Sequence, residues 1–284
     1  IGNHYAYSYS KAGCEVTIFD IDKNALKRTK NLIYPQRYGK WNKKIKLIDK
    51  DDNKFYDIIL IGTPPSSHLK ISNNIIKRNL CKLLHIEKPL STPSLKEINS
   101  FKKISKTSKV KLICGYNLIF TRALMEAKKI LSKKILGKII SINVYNMEHW
   151  GGIFNAHPWL NGPKDSYLGF TSKGGGSLCE HSHGLNLIIN LINFMNLGQI
   201  KKISSRNFFK INKDINYDFS NFINFKTTSG TICHVVQDVI SNPPIKKSSI
   251  QGSKGSMEVF QNFAKNHDAV KIYKGGTKIL KFRK

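Results

Sequence analysis

The residues with the most chemical potential lie in Gly174-Gly175-Gly176-Ser177-Leu178-Cys179-Glu180-His181-Ser182-His183-Gly184-Leu185-Asn186. Three successive glycines let the backbone bend and approach another group closely. Ser177 and Glu180 have capping-box spacing, which predicts a helix from Ser177 through Met195. On it Glu180, His183, Asn186, Asn190 and Asn193 recur at steps of three, three, four and three, so they share one face. Leu185, Ile188, Ile189, Leu191 and Ile192 supply the apolar side. A polar stripe with an imidazole, heading an apolar helix behind a glycine turn, has the makeup of an active-site wall. A plainer account stands beside it. The chain uses Asn freely, and Glu180 at that spacing is also an ordinary helix cap.

Three further groups fall at the ends of expected strands, where open parallel sheets bind ligands. Asp20 closes the apolar segment Glu15 to Phe19, at the place where a dinucleotide-binding domain keeps the acid that bonds a ribose. A carboxylate there accepts from a 2′-hydroxyl and repels a 2′-phosphate, which favours NAD over NADP. Asp22 is its neighbouring rival. Gly62-Thr63-Pro64-Pro65 ends a nearly all-apolar run, and reads either as a backbone approach to a cofactor or as a simple strand-ending turn. Glu87-Lys88-Pro89 places an amine at a strand end, where it can polarise a carbonyl or alcohol oxygen.

The elements that must hold these groups change character along the chain. The first half alternates helix and strand, the pattern of a parallel sheet wrapped by helices. Its expected strands are Glu15 to Phe19, a short one near Ile45 to Ile48, Asp57 to Gly62, Lys82 to Ile86 and Val110 to Cys114. Helices are expected over Tyr5 to Ala12, from Asn24, from near Ser67, and over Ser91 to Ile104. After a connecting helix, Thr121 to Leu131, comes a strand, Ile139 to Tyr145, and a long loop, Glu148 to Lys173. Beyond the glycine-led helix, several strands at hairpin spacing from Ile203 to Tyr273 predict an antiparallel sheet.

At 284 residues, with 40% hydrophobic content, the chain can bury a substantial core and form two domains, which excludes wholesale disorder. Cys14, Cys81, Cys114, Cys179 and Cys233 contain no C-x-x-C pair. Free thiols in a reducing, cytoplasmic compartment are expected, with neither a disulfide scaffold nor a metal site. No window has the long uncharged apolar run of a membrane span, so no membrane association is expected. The formal charge of +29 invites a nucleic-acid reading. The lysines, however, are spread along the whole chain and far outnumber the arginines, so an anionic small substrate is the better expectation. The opening residues contain no Met, and the basic strand-like segment Lys278 to Lys284 ends abruptly, so both ends read as cut within domains.

In combination the motifs resemble the Gfo/Idh/MocA family, the relatives of glucose–fructose oxidoreductase and inositol dehydrogenase. The resemblance is carried by Gly62-Thr63-Pro64-Pro65-Ser66-Ser67-His68, Glu87-Lys88-Pro89, Gly115-Tyr116-Asn117, and the glycine triplet before the helix with His183. His157-Pro158-Trp159, Ser166-Tyr167, Asn242-Pro243-Pro244 and Gly252-Ser253-Lys254-Gly255 are similar to one branch, whose helix reads G-G-G-x-x-x-[DE]-x-S-H-x-x-D.

The resemblance implies an α/β protein. An NAD(P)-binding Rossmann domain over 1–117, with its doubly wound parallel sheet lacking the first strand, would precede a substrate-binding and oligomerisation domain over 118–284 with a large, mostly antiparallel open sheet. Gly2 would be the last glycine of the dinucleotide fingerprint. Asp20, Gly62, Thr63, Pro64, Pro65, His68, Glu87, Lys88 and Asn117 would join it in holding NAD, with NADP the lesser alternative. Lys88, Tyr116, Trp159, Tyr167, Glu180, His183 and Asn186 would face a sugar or nucleotide-sugar substrate. Lys88 and His183 would be catalytic, the imidazole taking a hydroxyl proton as hydride leaves the sugar carbon. A homodimer or homotetramer would form through the second domain's sheet. Two positions depart from the family pattern. Asn186 stands where Asp is usual, and an amide cannot relay a proton, which motivates an alternative non-redox role in binding a dinucleotide or sugar. Ile119 stands where relatives often carry Arg.

Overall fold

The computed structural model describes residues 2–283. The chain divides into two compact units, one of Ile1–Glu87 with Glu97–Cys114, the other of Lys88–Lys96 with Gly115–Lys284. The short stretch after Glu87 thus packs with the second unit and carries Lys88 there.

The first unit alternates helix and strand in chain order: α1 (Gly2–Lys11), β1 (Thr17–Phe19), α2 (Lys23–Arg28), α3 (Tyr34–Tyr38), β2 (Lys46–Ile48), β3 (Tyr56–Ile61), α4 (Pro65–Lys77), β4 (Cys81–Ile86), α5 (Ile98–Thr107) and β5 (Lys111–Cys114). A π-helical turn, Thr29–Ile33, joins α2 to α3 without a break. Every strand pairing is parallel, but β1 pairs with β2 while β3, β4 and β5 form a separate ladder. The expected parallel architecture is therefore present as two ladders. Leu84, Ile86 and Ile61 are buried beneath Leu69, Ile75 and Ile76 of α4. Pro65 occupies the first turn of α4, where its missing N–H costs nothing. The helix expected over Ser91 to Ile104 forms later, because Leu95 and Glu97 adopt positive φ that no helix interior accepts.

The second unit continues with α6 (Arg122–Ser132), β6 (Ile139–His149), α7 (Gly151–Asn155), α8 (Gly176–Glu180), α9 (His183–Phe194), β7 (Ile200–Ile211), β8 (Asn216–Thr227), β9 (Ile232–Asp238), β10 (Ile240–Gly252), β11 (Gly255–Ala264), β12 (His267–Tyr273) and β13 (Thr277–Arg283). One eight-stranded sheet has the order β13-β12-β11-β10-β6-β9-β8-β7. All of its pairings are antiparallel except β6 with β9, which is parallel and lies at the centre. Leu187, Ile188, Leu191 and Ile192 of α9 pack with Ala123, Leu124 and Ala127 of α6 against Ile142, Val144, Val235, Ile250 and Met257 of the sheet. Burying each such aliphatic side chain contributes roughly 1.5–3 kcal/mol, so this face anchors α9 firmly. The segment expected as one long loop contains α7 and three short 3-10 turns, at Pro163–Asp165, Tyr167–Gly169 and Thr171–Lys173.

Candidate functional site

The glycine-led stretch does not form the single helix its periodicity predicts. It makes one turn and a half as α8, breaks at His181 and Ser182, and restarts as α9 with His183 at its head. The capping box does not form either. Ser177 is fully buried and its hydroxyl donates to Asp218 at 3.1 Å, while the Asp218 carboxylate takes the backbone N–H of Leu178 at 2.6 Å. Asp218 also accepts from Asn221 at 2.7 Å and from the Thr171 hydroxyl at 2.8 Å. A tertiary carboxylate, buried and fully engaged, thus replaces the local cap. Gly176 explains why a glycine is needed: its φ is +79°, and a Cβ there would collide with that carboxylate. Gln237 completes the clamp by donating to the carbonyls of Ser177 and Leu178 at 2.7 and 3.2 Å.

Freed from capping, Glu180 serves the site. Lys88 Nζ donates to its carboxylate at 2.6 Å and to its backbone carbonyl at 2.7 Å. The Tyr167 hydroxyl donates to the other carboxylate oxygen at 2.6 Å. Both partners of the ion pair are largely buried, with side-chain exposures of 15% and 11%. An ammonium has three N–H donors, so one remains on Lys88 after Glu180 has taken two.

His183 follows three residues later. Its ring meets the Tyr116 ring edge-on at 5.8 Å, and the Tyr116 hydroxyl lies 3.1 Å from the Ser182 hydroxyl. Burial above all, then the nearby charge of Lys88, pushes the imidazole down to about 3, so it is neutral at physiological pH. The ring therefore does not titrate near neutrality. The charge of Lys88, nearly a hundred residues away in the chain, thus reaches the His183 ring. Asn186 follows one turn on and is half-buried; Asn193 is exposed, and belongs to the helix surface rather than to a continuous stripe. Gly184 lets α9 approach the sheet, since a Cβ there would press on Asn146 and Gln237. Trp159 is 37% exposed and packs edge-on against His157.

In the first unit, Asp20 and Asp22 separate cleanly. Asp22 is the N-cap of α2, accepting the Asn24 N–H at 2.8 Å. Asp20 directly follows β1, is half-buried, and accepts the local N–H of Asp22 at 2.9 Å. Gly62, Thr63 and Pro64 are exposed at the head of α4, and His68 is buried beneath them with its ring 2.7 Å from the Thr63 carbonyl. His68 thus shapes the turn from below. A half-buried carboxylate just past a strand end and an open turn entering a helix N-terminus fit the ribose and phosphate groups of a dinucleotide. Glu87 is buried and accepts from the Tyr5 hydroxyl at 2.8 Å, with the His85 ring at 3.6 Å. Burial and then Glu87 push the Tyr5 phenol up. Gly2 opens α1, and Asn117 is exposed at the start of a 3-10 turn.

The sequence pattern missed Asp218, Gln237, Glu148 and Lys246, which lie on late or central strands far from the motif they support. Among the described residues no group of three or more His, Cys, Asp or Glu side chains is placed to hold a metal ion. No helix among them is long and apolar enough to cross a membrane.

No protein-family model and no curated protein sequence matches the chain. Solved structures do. The WlbA dehydrogenase from Chromobacterium violaceum, in complex with NADH and UDP-GlcNAcA, aligns over 97% of this chain and 75% of its own, at 18% identity and a TM-score of 0.73. The chain has the fold of that dehydrogenase. Levoglucosan dehydrogenase, in complex with NADH and levoglucosan, aligns over 95% and 71% at 15% identity and a TM-score of 0.72. KijD10, a 3-ketoreductase from Actinomadura kijaniata in complex with NADP, aligns over 94% and 76% at 13% identity and a TM-score of 0.69.

Proposed function

We propose that the protein is an NAD-dependent oxidoreductase of the Gfo/Idh/MocA family, moving hydride between the cofactor and a secondary hydroxyl of a sugar or nucleotide sugar. The reading is carried by one observation, the Lys88–Glu180 pair held beside a neutral His183. The remaining N–H of Lys88 donates to the oxygen of the reacting hydroxyl and stabilises negative charge that develops there. His183, already unprotonated, accepts the hydroxyl proton as the carbon–hydrogen bond breaks. A bound nicotinamide supplies the hydride acceptor. Glu180 pairs with the ammonium and aims it, and Tyr167 holds Glu180 in turn. Tyr116, Trp159 and Asn186 contribute the surrounding polar and aromatic surface for a sugar ring. Asp20 is the ribose acid and favours NAD over NADP; Gly2, the turn 62–65 with His68 beneath it, Glu87 and Asn117 complete the cofactor-binding set. The +29 charge suits an anionic sugar derivative.

Purified protein mixed with NAD and a panel of nucleotide sugars and sugar acids should generate NADH absorbance with at least one of them. Lys88→Ala should abolish that turnover while leaving NAD binding measurable by fluorescence; a fully active variant rules out the assigned role.

A homodimer through the open face of the eight-stranded sheet belongs to the same reading. Phe222, Val236, Tyr145, Lys247 and Phe260 form one cross-strand row there, with Phe222 43% and the nearby Ile232 46% exposed. Sedimentation should give a dimer or tetramer, and Phe222→Asp should shift it towards monomer.

A further inference from the structure

Three ionisable side chains close behind His183 have no part in the chemistry above. Glu148 lies near the end of β6, Lys246 on the adjacent β10, and His181 in the break between α8 and α9. His181 is 4% exposed, and its Nδ1 lies 3.0 Å from a Glu148 carboxylate oxygen. The other carboxylate oxygen pairs with Lys246. Burial alone would push the Glu148 carboxyl up, but the His181 hydrogen bond and the Lys246 charge hold it at about 2, so it is ionised. The backbone is tied at the same point, because Asn146 on β6 donates to the His181 carbonyl at 3.1 Å. Residue 181 is therefore pinned to one strand through both main chain and ring.

The position of this anchor gives it a use. Glu180, on one side of it, orients Lys88, and His183, two residues beyond, begins the next helix. A helix break has no continuous hydrogen-bond ladder to fix the angle between its halves. Something outside the helix must do so, and the Glu148–His181 contact is a charge-assisted bond in a buried setting. The carboxylate also selects the tautomer. With Nδ1 facing an ionised acceptor, a ring that carries a single proton must hold it on Nδ1 and leave Nε2 as a lone pair. His181 Nε2 and His183 Nδ1 are both buried and have no hydrogen-bond partner among the described residues.

We propose that the half-buried Glu148 and the buried His181 are a positioning pair, which fixes His181 as the Nδ1–H tautomer and locks the α8–α9 break to β6, so that Glu180 and His183 are held in working register. The inference rests on the dehydrogenase reading for its functional consequence, and on the Glu148 contact alone for its structural one. The charged and aromatic groups facing His183 are Lys88 from the segment after β4, Glu148 from β6, Lys246 from β10, His181 from the break, and Tyr116 from the segment after β5.

Two measurements separate these parts. Nitrogen-15 NMR of ring-labelled histidines, with His181 identified by its loss in His181→Asn, should show the Nδ1–H tautomer at pH 7 to 8. Glu148→Ala should return it to the commoner Nε2–H form. A wild-type His181 protonated on Nε2 overturns the proposal whether or not the protein turns over a sugar. For the second measurement, His181→Leu keeps apolar bulk but removes the donor, whereas His181→Asn places an amide N–H where Nδ1 was. With a substrate found as above, Leu should lower kcat by about 10²-fold, the scale set by small misplacements of reacting groups. Asn should restore most of that loss, and KM for NAD should change little in either. Wild-type kcat in His181→Leu overturns the positioning role while leaving the dehydrogenase reading intact. Equal losses in Leu and Asn also overturn it, since packing rather than the bond would then matter. Absence of turnover in the wild type overturns the functional half of the proposal together with the reading, and the NMR result still decides the pairing.

Discussion

Burial of a neutral imidazole leaves a signature in the pH dependence of folding. His183 is held at about 3, against an ordinary value of 6.5, first by burial and then by the charge of Lys88. Above pH 6.5 the ring is neutral whether the chain is folded or not, and it has no effect on the slope. Below that pH the unfolded chain takes up a proton that the folded chain refuses, so stability falls, by up to about 1.4 kcal/mol per pH unit, until pH nears 3. Between pH 7.5 and 5.0 the loss is about 2 kcal/mol. Because pH 5 lies well above the folded value, that figure depends almost wholly on the unfolded one. His183→Gln removes the titration and keeps a polar side chain of similar reach. Urea unfolding of both proteins at pH 7.5, 6.5, 5.5 and 5.0, followed by tryptophan fluorescence, isolates the effect, since the other titrating groups are common to both. The wild type should lose about 2 kcal/mol relative to the variant across that range. A difference that stays flat with pH would refute the buried, neutral environment assigned to His183.

Gly176→Ala should lower stability by at least about 2 kcal/mol, because it adds left-handed strain to a collision with the Asp218 carboxylate, and a thermal melt will register it. Asp218→Ala leaves the Leu178 N–H and the Thr171, Ser177 and Asn221 donors without their acceptor and should cost about 3 kcal/mol or more, measured by urea titration. Glu180→Gln should cut kcat far more than Tyr167→Phe does, since only the first removes the charge that faces Lys88; steady-state kinetics on the two variants checks the order. Asp20→Ser should narrow the preference for NAD over NADP by about tenfold in fluorescence titrations, whereas Asp22→Ala should act only through loss of the α2 cap.

Much of the architecture was legible because local pattern and tertiary placement agree. The run Ile58 to Ile61 is apolar throughout, and it lies in β3 of a parallel ladder; the hairpin spacing after Ile200 became an antiparallel array. The failures share a cause. Ser177 and Glu180 satisfy the arithmetic of a capping box, but each found a stronger partner at long range, Asp218 and Lys88, and the helix expected from Ser177 to Met195 breaks just after them, at His181 and Ser182. Nothing in the local spacing encodes a carboxylate forty residues away. The parallel β6–β9 pair was likewise invisible, because alternation along a strand says which face is buried and not which neighbour it will have. At Asp20 and Asp22 the residue types alone named one acid and left a rival beside it; the structure gives the rival, Asp22, a local task as the α2 cap.

The central β6–β9 seam also governs the order in which the second unit can assemble during synthesis. β6 is flanked by β9 and β10, so neither of its edges can be satisfied until the ribosome has passed Ile232. The helices bearing Glu180 and His183 are made in that interval and have no finished surface to dock on. The pocket is thus among the last things to acquire shape, even though its residues emerge early. Contacts of such long sequence separation slow folding, and a nascent chain stalled within β7 or β8 would present an open, apolar β6 to whatever chaperone or protease reaches it first.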